Sequence, residues 1–433
     1  MLRRLIFFLV FFSTLPLAAQ QYCIAGRFSQ EPLFADGVLR ADTGVVYGYA
    51  YNPFANAQQA LVMDIFYPDT TADTMRARPF ILFIHGGGFA AGTRHDNEYF
   101  CREYARRGYV AATMDYRLGW LCKSPDACNG CVQDSLQLRQ ATYMAVQDAR
   151  AALRFISGNA AVYHVSPSMI FLEGTSAGSI TAFLAALWDQ QLANAFAPGA
   201  ETLLGSLDTA GNAFRNSYSI RAISDNCGAV AGDSATLLRL NIPVISFHDE
   251  NDCMVPYGPG TLFGCGCSSF YSCFGPQAIY DQLVVIGHCA ELNTAPGSPF
   301  HCSWPAENLM ARSSCFFKRV MCNECGSDTN SNPHAVAPCD SLESFFEAGV
   351  DNFIAMLTSS PADDRAEITF SDFAEHGGTV HCLDALGRPV MDVSFAATAK
   401  KVEIDTHLLP PGLYFLLFES PGELVAVKLA VSH

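Results

Sequence analysis

Ser176 lies in Gly174-Thr175-Ser176-Ala177-Gly178, between an apolar run at 168–173 and a small-residue run at 180–187. A serine with glycine two places before and two after it, at a strand-to-helix junction, has the spacing of a nucleophile elbow. The turn is so tight that side chains are excluded from both flanks, and the following helix begins with unpaired N–H groups aimed at the serine oxygen. Upstream, His85-Gly86-Gly87-Gly88-Phe89 closes another apolar run. Three glycines let the backbone approach a ligand and turn its N–H groups inward, toward charge developing on a carbonyl oxygen. The expected donors are the N–H groups of Gly87, Gly88 and Ala177. A nucleophilic serine beside an oxyanion loop is the equipment for acyl transfer.

These residues need a rigid frame. Strand-like runs fall at 61–67, 80–85, 110–115, 169–173, 220–224 and 244–248, with helical runs at 98–107, 136–156, 177–192 and 342–357. Several strands are continuously apolar, as in strands covered on both faces. The alternation predicts an α/β domain with a doubly wound, mostly parallel sheet. Segments 258–275 and 315–339 read as disulfide-pinned loops beyond the strands. After 359–364 the pattern changes to short alternating runs at 378–383, 401–405, 412–418 and 424–431, punctuated by turn residues, which predicts a small all-β sandwich. The expected organisation is an export segment at 1–20, a catalytic domain at 21–358, a linker at 359–368 and the sandwich at 369–433.

The export segment is read from Arg3-Arg4, the apolar run 5–17 and the small residues Ala18-Ala19. It is too short to span a bilayer, no other stretch is long enough, and cleavage is expected after Ala19 or Gln20. Half of the 433 residues are apolar and 16% are charged, which excludes a disordered chain. The net charge of −16 argues against nucleic acid or an anionic membrane surface as partner. Seventeen cysteines agree with export and favour disulfides over metal, even for the pairs Cys128/Cys131 and Cys322/Cys325 and for Cys265-Gly-Cys267. Sixteen of them precede residue 360, an even set that predicts full pairing there, with Cys382 left over.

From Ala60 to about Leu357 the chain resembles the α/β-hydrolase superfamily, in its HGGG-bearing esterase and lipase branch. Asp115-Tyr116-Arg117-Leu118-Gly119 and the run from Gln147-Asp148-Ala149-Arg150 to Phe155 share in the likeness. Thr175 departs from it, since relatives often carry an acidic residue there. The resemblance implies the chain order serine, acid, histidine. It points to Asp252 as the acid, in Asp249-Glu250-Asn251-Asp252-Cys253-Met254-Val255-Pro256, with Asp249 and Glu250 as rivals. For the base, only a residue at the C-terminal end of a parallel strand reaches the face that carries the serine. His301 satisfies this after an expected last strand at 291–294 and resembles the family's Gly-x-x-His loop. His288 falls at the opposite end of that strand, and His334 is a third candidate. The implied activity is a Ser176–His301–Asp252 carboxylic-ester hydrolase working through an acyl-enzyme, with no metal or organic cofactor required. Acylated polysaccharide, feruloyl esters or polyesters are candidate substrates, and the lack of a clear apolar lid segment favours short acyl chains.

Leu383-Asp-Ala-Leu-Gly-Arg-Pro-Val390, Ile404-Asp405 and Leu409-Pro-Pro-Gly-Leu-Tyr-Phe415 resemble the sorting domain of the type IX secretion system. That likeness implies export across an outer membrane by the type IX machinery, often with removal of the domain and attachment at the cell surface. The lysine-rich end is reduced to Lys428, and a carbohydrate-binding or structural β-module is the alternative. Two other functions fit the main domain: a serine peptidase of the same fold, which usually carries a propeller or lid, and a non-catalytic surface adhesion module.

Overall fold

The computed structural model describes residues 22–120 except 25, 135–264 and 270–332, and then the segments 355–357, 365–370, 378–384, 389–396, 401–407, 409–410, 412–420 and 423–431. The chain divides into two compact units, Met1–Val336 and Ala337–His433. The expected export segment lies outside the described residues.

The first unit is built on a nine-stranded sheet. Its strands are β1 (Leu39–Asn52), β2 (Ala57–Pro68), β3 (Arg78–Ile84), β4 (Val110–Met114), β5 (Val165–Thr175), β6 (Ile220–Asn226), β7 (Val244–Asp249), β8 (Ala290–Ala295) and β9 (Asp328–Asn330). They are ordered β1-β2-β4-β3-β5-β6-β7-β8-β9. β1 pairs antiparallel with β2 and β2 with β4, while every later pairing is parallel. The mostly parallel α/β fold expected from the sequence is therefore present. The expectation omitted β1, a long strand of mixed polarity at the sheet edge, and β9, too short and polar to signal itself.

Strands β3 and β4 are buried at every residue, the cost of being covered by helices on both faces. The helices that bear on the site are α1 (Glu98–Arg106), α2 (Ser135–Gly158), α3 (Ala177–Leu187), α4 (Pro276–Val285) and α5 (Ala306–Cys322). One apolar cluster holds Leu82, Ile84, Met144, Phe183 and Ile223, and a second holds Ile81, Phe83, Phe171, Phe247 and Phe317. Alternate residues of one strand thus feed two different cores. Helix α5 replaces the loop expected from 315: Leu309, Phe316, Phe317 and Val320 sit at helical spacing and are buried.

The cysteines depart from full pairing. Cys23–Cys322, Cys227–Cys302 and Cys289–Cys325 are disulfides, so the members of the Cys322/Cys325 pair bond elsewhere and not to each other or to metal. Cys101 and Cys273 are free and buried in the two cores, where each packs as a small apolar side chain. Cys128/Cys131, Cys265 and Cys267 lie outside the described residues. Among the described residues no helix is long and apolar enough to cross a membrane.

The second unit is all-β. Ala355–Leu357, Arg365–Phe370 and Lys401–Asp405 form one antiparallel sheet, and Gly378–Asp384, Pro389–Phe395, Gly412–Ser420 and Glu423–Val431 form another. Ala366, Val402 and Ile404 of the first sheet share one core with Val380, Leu416 and Leu429 of the second. Residues 355–357, expected in a helix, are a strand, and the expected linker at 359–368 already contains the start of Arg365–Phe370. Alternation over so few residues is hard to tell from an irregular stretch. The rest of the expected 342–357 helix lies outside the described residues.

Candidate active site

Ser176 stands between β5 and α3 with φ 55° and ψ −117°, a strained position for a residue with a side chain. The turn closes only because its neighbours are glycines. A Cβ on Gly178 would lie 2.0 Å from the Ile84 carbonyl oxygen, and one on Gly174 would lie 2.4 Å from the Gly178 carbonyl carbon. The Ser176 N–H donates to the Asn226 carbonyl at 2.8 Å, which ties the turn to the end of β6.

Three parallel strands deliver the partners at the same sheet edge. The segment after β7 carries Asp252, and the segment after β8 carries His301. His301 Nδ1 lies 2.6 Å from Asp252 Oδ2, and His301 Nε2 lies 2.9 Å from Ser176 Oγ. Burial pushes the Asp252 carboxyl up, but hydrogen bonds from His248 and His301 outweigh it and hold the group well below the usual carboxylate range. An ionised carboxylate only accepts, so Nδ1 of the neutral ring carries the proton and bare Nε2 faces the serine hydroxyl. That tautomer can take the Ser176 proton.

The rival residues have other work. Asp249 accepts from the Ser303 N–H at 2.9 Å and from its hydroxyl, and Glu250 accepts from the Gly297 N–H at 2.7 Å. Both carboxylates anchor the loop that presents His301. His288 lies before β8, at the opposite end of the strand. His334 lies outside the described residues.

The glycine loop runs from the end of β3 over the same spot. Gly87 and Gly88 have φ of 104° and 60°, and a Cβ on Gly87 would lie 2.2 Å from the Ala91 carbonyl oxygen. The N–H groups of Gly87, Gly88 and Ala177 make no backbone hydrogen bond among the described residues. The loop is held from behind. Tyr116 donates to the His85 carbonyl at 3.0 Å and stacks on the His85 ring, and Trp120 Nε1 donates to the Gly88 carbonyl at 2.6 Å. Burial keeps the His85 imidazole below its ordinary pKa, so it remains neutral and donates from Nδ1 to the Gly86 carbonyl. Arg117, the next residue of the Asp115–Gly119 segment, makes a fully buried ion pair with Asp148 of α2 at 2.7 Å. Tyr116 and Trp120 thus hold the glycine loop, while Arg117 ties its own segment to α2.

A cavity of about 540 Å³ opens beside the loop, lined by Gly86, Gly87, Phe100, Asn226, Cys302 and Trp304 among others. The imidazole of His301 and the sulfurs of Cys227 and Cys302 converge, but the sulfurs are bonded to each other and offer no thiolate to a metal. Sequence reasoning missed His248, Trp120 and the Cys227–Cys302 bond. Their contacts join segments distant in sequence, and none falls in a spaced motif.

A sharp serine turn after the central parallel strand β5, with Asp252 after β7 and His301 after β8, is the arrangement of an α/β-hydrolase fold. Residues 63–231 match the family model described as BD-FAE, and residues 360–432 match the secretion system C-terminal sorting domain. Residues 63–231 thus carry the likeness to this esterase family of the α/β-hydrolases, and residues 360–432 carry a type IX sorting domain, which marks the chain for secretion or the cell surface. It is 31% identical over 127 residues to the Neuroligin-like protein glit-1 of Caenorhabditis elegans, covering 29% of this chain and 16% of that protein. It is 32% identical over 103 residues to Gut esterase 1 of the same organism, covering 23% of this chain and 17% of that protein. The chain thus spans less than a fifth of the length of either relative. A thermophilic esterase structure from Thermogutta terrifontis is 18% identical, with a TM-score of 0.42, over 63% of this chain and 90% of that one.

Proposed function

We propose that the protein is an exported serine carboxylic-ester hydrolase in which Ser176, His301 and Asp252 form the catalytic triad. The observation that carries this reading is the unbroken relay from Asp252 Oδ2 through His301 to Ser176 Oγ, at 2.6 and 2.9 Å. In the acylation step His301 Nε2 takes the Ser176 proton as Oγ attacks the ester carbonyl. The N–H groups of Gly87, Gly88 and Ala177 hold the oxyanion, and the imidazolium passes the proton to the departing alcohol. Water then attacks the acyl-enzyme with His301 again as base, and the acid leaves. Every group required is a side chain or backbone amide of this chain. The type IX machinery would be its export partner.

Hydrolysis of p-nitrophenyl esters of graded acyl length by the full chain and by Ser176→Ala tests the reading. The wild type should turn over the shorter esters, and the variant should lose roughly 10³-fold or more in kcat. A wild type inert at every chain length would remove the enzyme reading in favour of a non-catalytic surface module.

A further inference from the structure

The loop 296–304 carries His301 yet has no regular structure, so its position depends on its ties. Its hydrogen bonds to the side run almost entirely to one neighbour, the end of β7 and the segment after it. Ser303 bonds Asp249, Gly297 bonds Glu250, the Ser298 carbonyl accepts from Asn251, and Trp304 Nε1 donates to the His248 carbonyl. These contacts fix His301 relative to Asp252. Among the described residues the loop's hydrogen-bond contacts on the serine side are confined to His301, which meets Ser176 Oγ at 2.9 Å and the Cys227 sulfur at 3.9 Å.

The disulfide Cys227–Cys302 supplies a covalent tie on that side. Cys302 follows His301 directly, and Cys227 follows Asn226, whose carbonyl accepts the Ser176 N–H at 2.8 Å. The Cys227 sulfur lies 3.9 Å from His301 Nε2, so the bond also forms part of the wall beside the imidazole. Both cysteines hold positive φ, 54° at Cys227 and 59° at Cys302. Non-glycine residues keep that conformation only where the surroundings impose it. Here the two strained backbones are the two ends of one covalent bond.

We propose that Cys227–Cys302 is a positioning element of the catalytic base, holding His301 Nε2 on Ser176 while Asp249 at the end of β7 and Glu250 just after it hold Nδ1 on Asp252. The inference rests on the proposed hydrolase reading. With the bond open, His301 keeps Asp252 and loses its register on the serine. Opening it with dithiothreitol proceeds by thiolate attack on a disulfide sulfur, giving a mixed disulfide and one free cysteine. The second thiol then closes the cyclic disulfide of the reagent and leaves both cysteines protonated. The cavity that Cys302 lines admits a reagent of that size.

The test compares wild type, Ser176→Ala, Cys227→Ala/Cys302→Ala and the control Cys289→Ala/Cys325→Ala, all as full chains. Displacement of the base by about 1 Å should lower kcat roughly a hundredfold with KM little changed. In the Cys227/Cys302 variant the neutral-pH plateau of kcat should give way to a rate that rises with hydroxide, which a loss of stability alone would not produce. The Cys289/Cys325 control should keep wild-type kcat. If the Cys227/Cys302 variant does not fold, folded wild type is titrated with dithiothreitol and the opened cysteines are mapped by alkylation and mass spectrometry. Loss of kcat in step with modification of Cys302 supports the proposal. Full kcat with Cys227 and Cys302 both alkylated, or in the folded double variant, overturns it while leaving the hydrolase reading intact. A wild type inactive from the outset overturns the hydrolase reading and this proposal with it.

Discussion

Asp252 and His301 are 49 residues apart and meet at 2.6 Å because β7 and β8 are adjacent parallel strands whose ends deliver them to one edge of the sheet. Parallel pairing sends both strands out on the same side, so each following loop begins level with its neighbour. The carboxylate is fully sheltered while the imidazole stays partly open toward Ser176, with side-chain exposures of 1% and 26%. A sheltered carboxylate behind a partly exposed imidazole fixes the orientation of the ring.

Replacing Asp252 by Asn should leave the loop in place and lower kcat by roughly 10³ to 10⁴. The amide can donate to Nδ1 and so favour the tautomer with its proton on Nε2, facing the serine. The native carboxyl is held below its ordinary pKa, so its stabilisation is present at neutral pH and is lost as pH falls below the unfolded value. The variant should therefore lose stability at pH 7 and show a shallower fall in acid. Thermal melts from pH 7 to pH 3, read beside steady-state rates, check both parts.

The two histidines flanking β8 separate cleanly. His301→Ala should lose activity to the level of Ser176→Ala. His288→Ala should keep it, with a stability change within about 0.5 kcal/mol, as for a surface position outside any special feature. Full ester hydrolysis by His301→Ala would sink the assignment of the base.

Glu173 is buried in β5, three residues before Ser176, and accepts from the Tyr104 hydroxyl. Burial pushes its carboxyl up from 4.5 to about 8, against a smaller opposing effect of the Tyr104 bond. A carboxyl raised in the folded state favours folding most below the unfolded pKa, and its contribution declines as pH rises toward the folded value. Glu173→Gln, which cannot ionise, should melt progressively higher than wild type between pH 5 and pH 9 (about the span of the two values). Parallel melting curves for the two proteins over that range would refute it.

Arg117 and Asp148 are both buried and bonded, and Arg117 also donates to the Tyr51 carbonyl and to Gln147. Arg117→Ala strands the Asp148 carboxylate in the core and should cost about 3–5 kcal/mol. A lower midpoint in denaturant, at unchanged slope, is the expected result. A midpoint within error of wild type would show that water reaches the site.

The sequence by itself determined the parts whose signal is local. Gly174–Gly178 and His85–Gly88 are legible because a sharp turn admits only glycine at set positions, and Gly178, pressed against the Ile84 carbonyl, shows why. The largely apolar runs of β3 and β4 marked a parallel sheet because burial on both faces favours apolar residues at successive positions and not only at alternate ones. The edges were not legible: β1 and β9 carry mixed or polar residues, and Ala355–Leu357 is too short to show a period. Only the tertiary structure decided how Asp249, Glu250 and Asp252 divide their work, since three acids within four residues look alike until the loop after β8 closes on them. Only it set Cys227 against Cys302 and left Cys101 and Cys273 unpaired, because cysteine pairing depends on distances across the fold that spacing along the chain does not encode.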